Sequence, residues 1–585
     1  MGHTLYYTLE PYKNCRRLEF PVILFPPFDK DNLKVSSLVN IKNLISCFWN
    51  WIQGENSSNY VLTLDLNQEP MDYISQIKDG VLAGQHFNEL KDKHFKTKTL
   101  FEDPIFKPND SSLHSKHQDQ DVLWERASKL AENPRFFVDG ASRFDIRQGL
   151  LGNCWVLASL ANLTLNKKLF QKVVPPNQSF DKEEYTGIFH FQFWYYGEWV
   201  DVVVDDYLPV KDVGILGKKK FVYLQNSESN IEYLNEYNEF WAALLEKAYA
   251  KLHGYGSYQK IDFGFTGDSM EDFSGGLSER YMLTKDSSPI ETFNILKKAY
   301  EKGSMICIST PGYEEKTLPS GLVLGHAYTI TKVLQIQIEK GPYSGIHNLI
   351  RIRNPYGNEV EWNKNWSDLS EEMKSLSKEE KKMHGIIAEH DGEFFMSIED
   401  VVQTENFEFF EICNLTPESG NEFSWHMQEF HGSWRVGLNA GGCHRRYHVT
   451  TFHQNPQFLI ELEDSDDDDE LCTCVVALMR KNHRQDLDNV IFIGFSVYPV
   501  SSPESTILPL SKDFFADQDY LPLVDSNGFN ADRQVHTRMK LRPGTYVIIP
   551  TTEKPNMEAD FLLRIFSEKA STNFKSLQDD EVAIK

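Results

Sequence analysis

QGLLGNCWVLASLANLTLN (Gln148–Asn166) begins as a turn and ends as a helix. Gly149 and Gly152 suit a tight turn, Asn153 is a competent N-cap, and the residues from Cys154 onward are smoothly apolar. A thiol within such a helix is inert. At the helix N-terminus, exposed amide N–H groups and the macrodipole favour the thiolate. The stretch predicts a helix opening on Cys154, although a lone cysteine on an apolar helix is more often a buried structural thiol.

A thiolate needs an imidazole to pair with and a third group to fix that ring. LGHAYTITKV places His326 at the head of an alternating strand, and IRIRNPYGN places Asn354 at the end of the next. A strand-turn-strand pair brings the two side by side, the Asn354 amide oxygen holding one ring nitrogen and leaving the other for sulfur. Gln148, six residues before Cys154, is placed to donate to an oxyanion together with the Cys154 backbone N–H.

Around these residues the organisation reads in blocks. GIFHFQFWYYGEWVDVVVDDYLPV alternates as a hairpin turning at Tyr196 to Glu198, and NEFWAALLEKAYAKLHG reads as a helix with one apolar face ended by Gly254. The glycine-rich DFGFTGDSMEDFSGGLSE reads as a seam between a helical lobe and a β-rich one. After FFEICNLTPES come short strands with little helix, the pattern of a β-sandwich.

The chain has 585 residues, 41% hydrophobic, with a net charge of −25. That is too long for one core, and no apolar run reaches the ~18 residues of a membrane span. The charge argues against a nucleic-acid partner and leaves carboxylates for divalent cations. The N-terminus lacks a secretory pattern, and the 8 cysteines show no repeated metal-ligand spacing, so reduced thiols and a cytoplasmic location are expected.

QGLLGNCW, GEWVDVVVDDYLPVKD, NEFWAALLEKAYAK, EDFSGG, GHAY, RIRNPYG, DGEFFMS and EICNLTP, followed by GSWRVGLNAGGC, ALMRK and GTYVIIPTT, resemble the calpain family, calcium-dependent papain-like cysteine proteases, over about Thr99 to Lys569. The resemblance implies an α+β fold: a papain-like two-lobed cysteine protease core followed by a C2-like antiparallel β-sandwich. The expected divisions are an extension at 1–98, lobe I at 99–265, lobe II at 266–415, the sandwich at 416–569 and a disordered polar tail at 570–585. It implies Cys154 as nucleophile, His326 as general base and acid, Asn354 as orienting residue and Gln148 as oxyanion donor, with Gly275 or Gly276 and Gly325 holding the substrate backbone.

The same resemblance implies Ca2+ at two sites, Val138, Gly140, Asp145 and Glu239 in lobe I, and Glu361, Asp368, Glu389, Asp391 and Glu393 in lobe II, an all-oxygen set that suits the ion. Calcium is expected to align the lobes, with Arg143 paired to Glu393 linking the two sites. Tyr356 stands where the family has a tryptophan that packs by the active site, and CISTPGYEEKTLPSGLVLGHAY departs from the usual gating segment. No EF-hand loop is present in the sequence, so no small EF-hand regulatory subunit is expected, and the chain reads as a natural short form or a shortened product. ELEDSDDDDELC carries 8 carboxylates between Glu461 and Glu470, similar to the family's acidic loop, which implies calcium-dependent peripheral binding to anionic phospholipid. The expected function is calcium-activated limited proteolysis of protein substrates in the cytoplasm. The alternative is a calpain-like scaffold with little turnover that binds membrane or protein partners through the sandwich.

Overall fold

The computed structural model describes residues 76–577 apart from 119–120, 213–218, 224–237, 255, 313, 358–360, 387–391, 404–405, 415–425, 445–449, 464–469, 482–489, 501–505, 527, 531 and 568–572. Within 1–98, the residues up to 75 lie outside the described ones; the rest are built into lobe I. Helix α1 (Phe87–Thr97) lays Phe87 flat on His190, ring centroids 3.8 Å apart, and Val81 pairs in parallel with Asp201.

Helix α2 (Cys154–Leu163) has all 10 residues buried. A helix apolar all round belongs in a core, and α2 lies where both lobes cover it. Asn162 Nδ2 donates to the Ile306 carbonyl at 2.6 Å, and Thr329 Oγ1 donates to the Ala158 carbonyl at 2.7 Å. Strands β1 (Ile188–Tyr195) and β2 (Glu198–Asp205) form the expected hairpin. Tyr196 and Gly197 between them both have positive φ (49° and 101°), as a two-residue turn matched to strand twist requires.

Helix α3 (Trp241–His253) differs from its one-faced pattern, because every residue is buried, including Glu246, Lys247 and Lys251. The charges are neutralised from distant segments. Lys247 Nζ lies 2.5 Å from Asp205, Lys251 Nζ lies 2.6 Å from Asp103, and Glu246 accepts from Asn153 Nδ2 at 2.7 Å. Burying such ions without partners costs several kcal/mol each.

The expected seam is mostly helix, α4 (Thr266–Ser274), closed by Gly275 in the left-handed region at φ 68°. Gly267 stands in α4 because a Cβ there would come within 2.6 Å of Ser278 Oγ. Lobe II is a six-stranded antiparallel sheet. Its strands are β3 (Leu277–Met282), β4 (Met305–Ser309), β5 (Ala327–Ile338), β6 (Gly345–Arg353), β7 (Glu393–Ser397) and β8 (Phe409–Asn414), in the order β7-β6-β5-β4-β8-β3. β5 and β6 pair from Ile338 opposite Gly345 back to Thr329 opposite Arg353, which sets His326 and Asn354 at the same end of the pair.

The C-terminal part packs a four-stranded sheet against a five-stranded one around Trp434, Phe458, Val476, Phe495, Ile548 and Phe561. The tail read as disordered contributes a strand, Asn573–Ser576, whose backbone pairs with Phe458–Leu462. Arginines bind this sandwich to α4 and β3: Arg533 to Asp272 at 2.6 Å, Arg538 to Glu279 at 2.6 Å, and buried Arg564 to Glu271 at 3.2 Å.

Candidate active site

Gly149 allows the turn before α2 to form, since a Cβ there would lie 1.7 Å from the Tyr223 carbonyl oxygen. Asn153 precedes the helix but its side chain makes no cap. Its carbonyl accepts from Val156 N–H at 2.9 Å, while its amide turns inward to Glu246. Cys154, 8% exposed, therefore begins the helix, its sulfur on the side of His326 and Glu315.

The His326 Nε2 lies 2.9 Å from Asn354 Oδ1, which also accepts the Tyr356 N–H at 3.0 Å. That second bond fixes the Asn354 oxygen toward the ring, so Nε2 carries a proton. Nδ1 lies 2.8 Å from Glu315 Oε1, a second pure acceptor. Both ring nitrogens therefore donate, and His326 is an imidazolium. Burial disfavours that charge, but the neighbouring Cys154 charge and the Glu315 carboxylate overcome it and raise the His326 pKa to about 10. Cys154 Sγ, a His326 ring nitrogen and a Glu315 oxygen lie within 4.8 Å of one another. Cys154, His326 and Asn354 are thus brought together.

Glu315 is the residue the sequence reading missed. Its Oε1 also accepts from Gln148 Nε2 at 3.2 Å, and its Oε2 accepts from the Tyr356 hydroxyl at 2.5 Å. Burial alone would raise this carboxyl; the His326, Tyr356 and Gln148 bonds prevail and hold it below its usual range. The carboxylate sits on the Gln148 donor and on the imidazolium edge that faces sulfur. Tyr356, the departure from tryptophan, packs its ring 4.6 Å from His326 and uses its hydroxyl to fasten Glu315. The carrying loop is set by Gly325 N–H donating to the Pro311 carbonyl at 2.8 Å and by Lys316 and Thr317 pairing with Leu324 and Val323.

The glycines divide. Gly325 (φ 64°) adjoins His326 under this loop, where a Cβ would meet the Glu314 carbonyl at 2.8 Å. Gly275 and Gly276 already bond within the fold: their N–H groups donate to the Glu271 carbonyl and Ser274 Oγ, and their carbonyls each accept from Arg564, at 3.2 and 2.8 Å. Gly264 packs against the start of α2: a Cβ there would touch the Trp155 indole at 2.5 Å, and Phe263 N–H donates to the Gly152 carbonyl at 2.9 Å.

In lobe I, Glu239 accepts from Val138 N–H at 2.6 Å, and Asp145 accepts from Ser142 N–H at 2.6 Å and Trp241 Nε1 at 3.2 Å. Burial and the nearby Asp145 charge push Glu239 up to about 8, and burial raises Asp145. A buried carboxylate, Glu239, and a half-buried one, Asp145, whose charge disfavours ionisation of the first, lie with a loop turned by Gly140 at φ 91° and form a donor set that fits a hard divalent cation. In lobe II, Glu361 Oε1 accepts from Gly392 N–H at 2.8 Å and Asp368 is half-buried, while Glu389 and Asp391 lie outside the described residues. Glu393 is gripped by Arg143 through two bonds of 2.6 and 2.9 Å and by Arg351 at 3.3 Å, and these arginines hold its carboxyl low against burial. Its carboxylate joins the lobes.

A cysteine at a helix start, an imidazolium on a facing strand, an orienting asparagine and a glutamine amide define a two-lobed thiol protease core. The calpain family cysteine protease model matches residues 101–414, and the model for calpain large subunit, domain III, a C2-like β-sandwich, matches residues 430–566. Calpain-A of Drosophila melanogaster is 44% identical over 500 residues, covering 83% of this chain and 57% of its own length. Calpain clp-1 of Caenorhabditis elegans is 44% identical over 504 residues, covering 83% and 60%. The human calpain-1 catalytic subunit is 42% identical over 514 residues, covering 83% and 67%. The chain belongs to the calpain family of cysteine proteases, and it spans little more than half the length of Calpain-A.

Proposed function

We propose that this chain is a calcium-activated cysteine endopeptidase that makes limited cuts in cytoplasmic proteins. The observation that carries the reading is His326 held as an imidazolium between Asn354 and the Cys154–Glu315 side of the cleft. With Glu315 withdrawn, Nδ1 is free to pair with the Cys154 thiolate, which attacks the scissile carbonyl. Gln148 Nε2 and the Cys154 N–H stabilise the oxyanion. His326 then gives its Nδ1 proton to the leaving amine, and Asn354 holds the ring throughout.

The lobe I carboxylates Glu239 and Asp145 support a calcium site with the Val138 and Gly140 region, and Glu361 and Asp368 support a second. Ca2+ would supply charge neutralisation and hold these loops. The supporting observation is the mutual repulsion of Glu239 and Asp145. Peripheral binding to anionic phospholipid through the acidic run is part of the same reading; its residues 464–469 lie outside the described ones. Among the described residues no helix is long and apolar enough to cross a membrane.

The test is cleavage of casein by the protein and by Cys154→Ser across a calcium titration against chelator. Calcium-dependent cleavage that the variant lacks supports the reading. A second reading, a scaffold with little turnover, is favoured by Glu315 occupying the Gln148 donor; it would show as folded protein that never cuts casein yet binds vesicles or proteins.

A further inference from the structure

Cys154, His326 and Glu315 present a sulfur, a nitrogen and an oxygen that converge within 4.8 Å. Zinc prefers such a mixed set, at about 2.3 Å to sulfur, 2.0–2.1 Å to nitrogen and 2.0–2.2 Å to oxygen, so that ligand atoms stand roughly 3.3–3.7 Å apart. The Nδ1 to Oε1 separation of 2.8 Å is a hydrogen bond through one proton. Replacing that proton with a metal needs an opening of about half an ångström, within reach of a loop side chain that is 29% accessible.

We propose that Cys154, His326 and Glu315 form a zinc site that reversibly blocks the nucleophile. Each ligand is already braced from behind, as metal ligands usually are. Asn354 Oδ1 holds the Nε2 proton at 2.9 Å and so directs Nδ1 at the ion, the Tyr356 hydroxyl holds the second Glu315 oxygen, and α2 fixes the sulfur. Gln148 Nε2 steadies the ligand oxygen of Glu315 from 3.2 Å, its other N–H being held by the Leu151 carbonyl at 2.9 Å, and the fourth position is left to water. The charges close: zinc replaces the Nδ1 proton, and its two positive charges balance thiolate and carboxylate. Calcium and magnesium, which require oxygen ligands, are excluded by the sulfur and nitrogen. An ion bound here takes the sulfur and Nδ1 lone pairs that attack and proton transfer need.

The site uses residues of the proposed protease but not their turnover, so its test stands apart from casein cleavage. The full chain is titrated with cobalt(II) as a spectroscopic stand-in, then with zinc. The expected result is a 1:1 complex with a thiolate-to-cobalt charge-transfer band and tetrahedral ligand-field bands, erased by zinc. Zinc should also protect Cys154 from iodoacetamide, and chelator should reverse the protection. Cys154→Ser should lose the charge-transfer band, and Glu315→Ala should bind zinc at least tenfold more weakly with an unchanged thermal melt; Glu315→Gln serves as a second variant of closer shape. No sulfur band in the wild type, a band that survives Cys154→Ser, or equal affinity in both Glu315 variants would overturn the proposal.

Discussion

Replacing Glu315 with alanine should make the cleft more open to substrate, and the bonds around it set the size of the change. The carboxylate accepts from the His326 imidazolium at 2.8 Å, from the Tyr356 hydroxyl at 2.5 Å and from Gln148 at 3.2 Å. A hydrogen bond to a charged group contributes about 1.5–3 kcal/mol net and a neutral one less. Gln148 and Tyr356 regain water or substrate when Glu315 leaves, and the side chain is 29% accessible, so solvent screens part of the pairing. About 2 kcal/mol remains to hold the loop closed, or roughly 30-fold in the open fraction. Glu315→Ala should raise kcat/KM on a fluorogenic peptide at saturating calcium by about that factor, and raise the rate of Cys154 alkylation by iodoacetamide in parallel. Alkylation reports access to sulfur without the oxyanion step. Removing the carboxylate also lowers a His326 pKa that stands at about 10, so the alkaline limb of kcat/KM, which needs the His326 proton, should move to lower pH. Unchanged or slower rates in both assays would refute the closed-loop reasoning and make Glu315 a supporting group of the imidazolium.

Tyr356→Phe removes one of the three Glu315 bonds and should give a smaller gain of about threefold to fivefold; in the Glu315→Ala background it should change nothing, and additive effects in that cycle would show that the hydroxyl acts elsewhere. Arg143→Ala breaks both bonds to Glu393 but leaves Arg351 at 3.3 Å, so the calcium midpoint for casein cleavage should rise by about tenfold; an unmoved midpoint counts against the lobe link. Arg564→Met removes the ion pair from the buried Glu271 carboxylate, which keeps the Ser278 N–H and Gln534 Nε2 as donors at 2.8 Å, and should destabilise the joint by about 1.5–3 kcal/mol, splitting one thermal transition into two with the sandwich melting apart. A single transition at the wild-type temperature would deny the joint that role.

The elements legible in the sequence are those whose causes are local. Helix α2 is announced by its turn glycines and apolar run, and the β1–β2 hairpin by alternation and a Tyr-Gly turn. The β5–β6 pair sets His326 and Asn354 together through register alone. Helix α3 misled because its charges look solvated until Asp205 and Asp103 arrive from elsewhere in the chain. The tail looked polar enough to stay free, but its backbone completes a sheet edge, a property no side-chain pattern encodes.

The site residues follow the same division, and they show why a motif is a weaker guide than a bonding account. The Gly275–Gly276 pair has the look of open backbone, yet what bonds a glycine carbonyl is set elsewhere in the chain: Arg564, nearly three hundred residues on, donates to both. Glu315 was visible as half of an acidic pair before His326, but its aim is fixed only by the Pro311–Gly325 backbone bond and the small ladder beyond it. Tyr356 is a smaller ring where the resemblance leads one to expect tryptophan. In the folded chain the exchange gains a hydroxyl, and that hydroxyl has a partner in the loop across the cleft. The substitution and the loop acid therefore make physical sense as a pair: the tyrosine gives Glu315 a second anchor, and Glu315 gives the tyrosine hydroxyl, which burial would otherwise penalise, an acceptor.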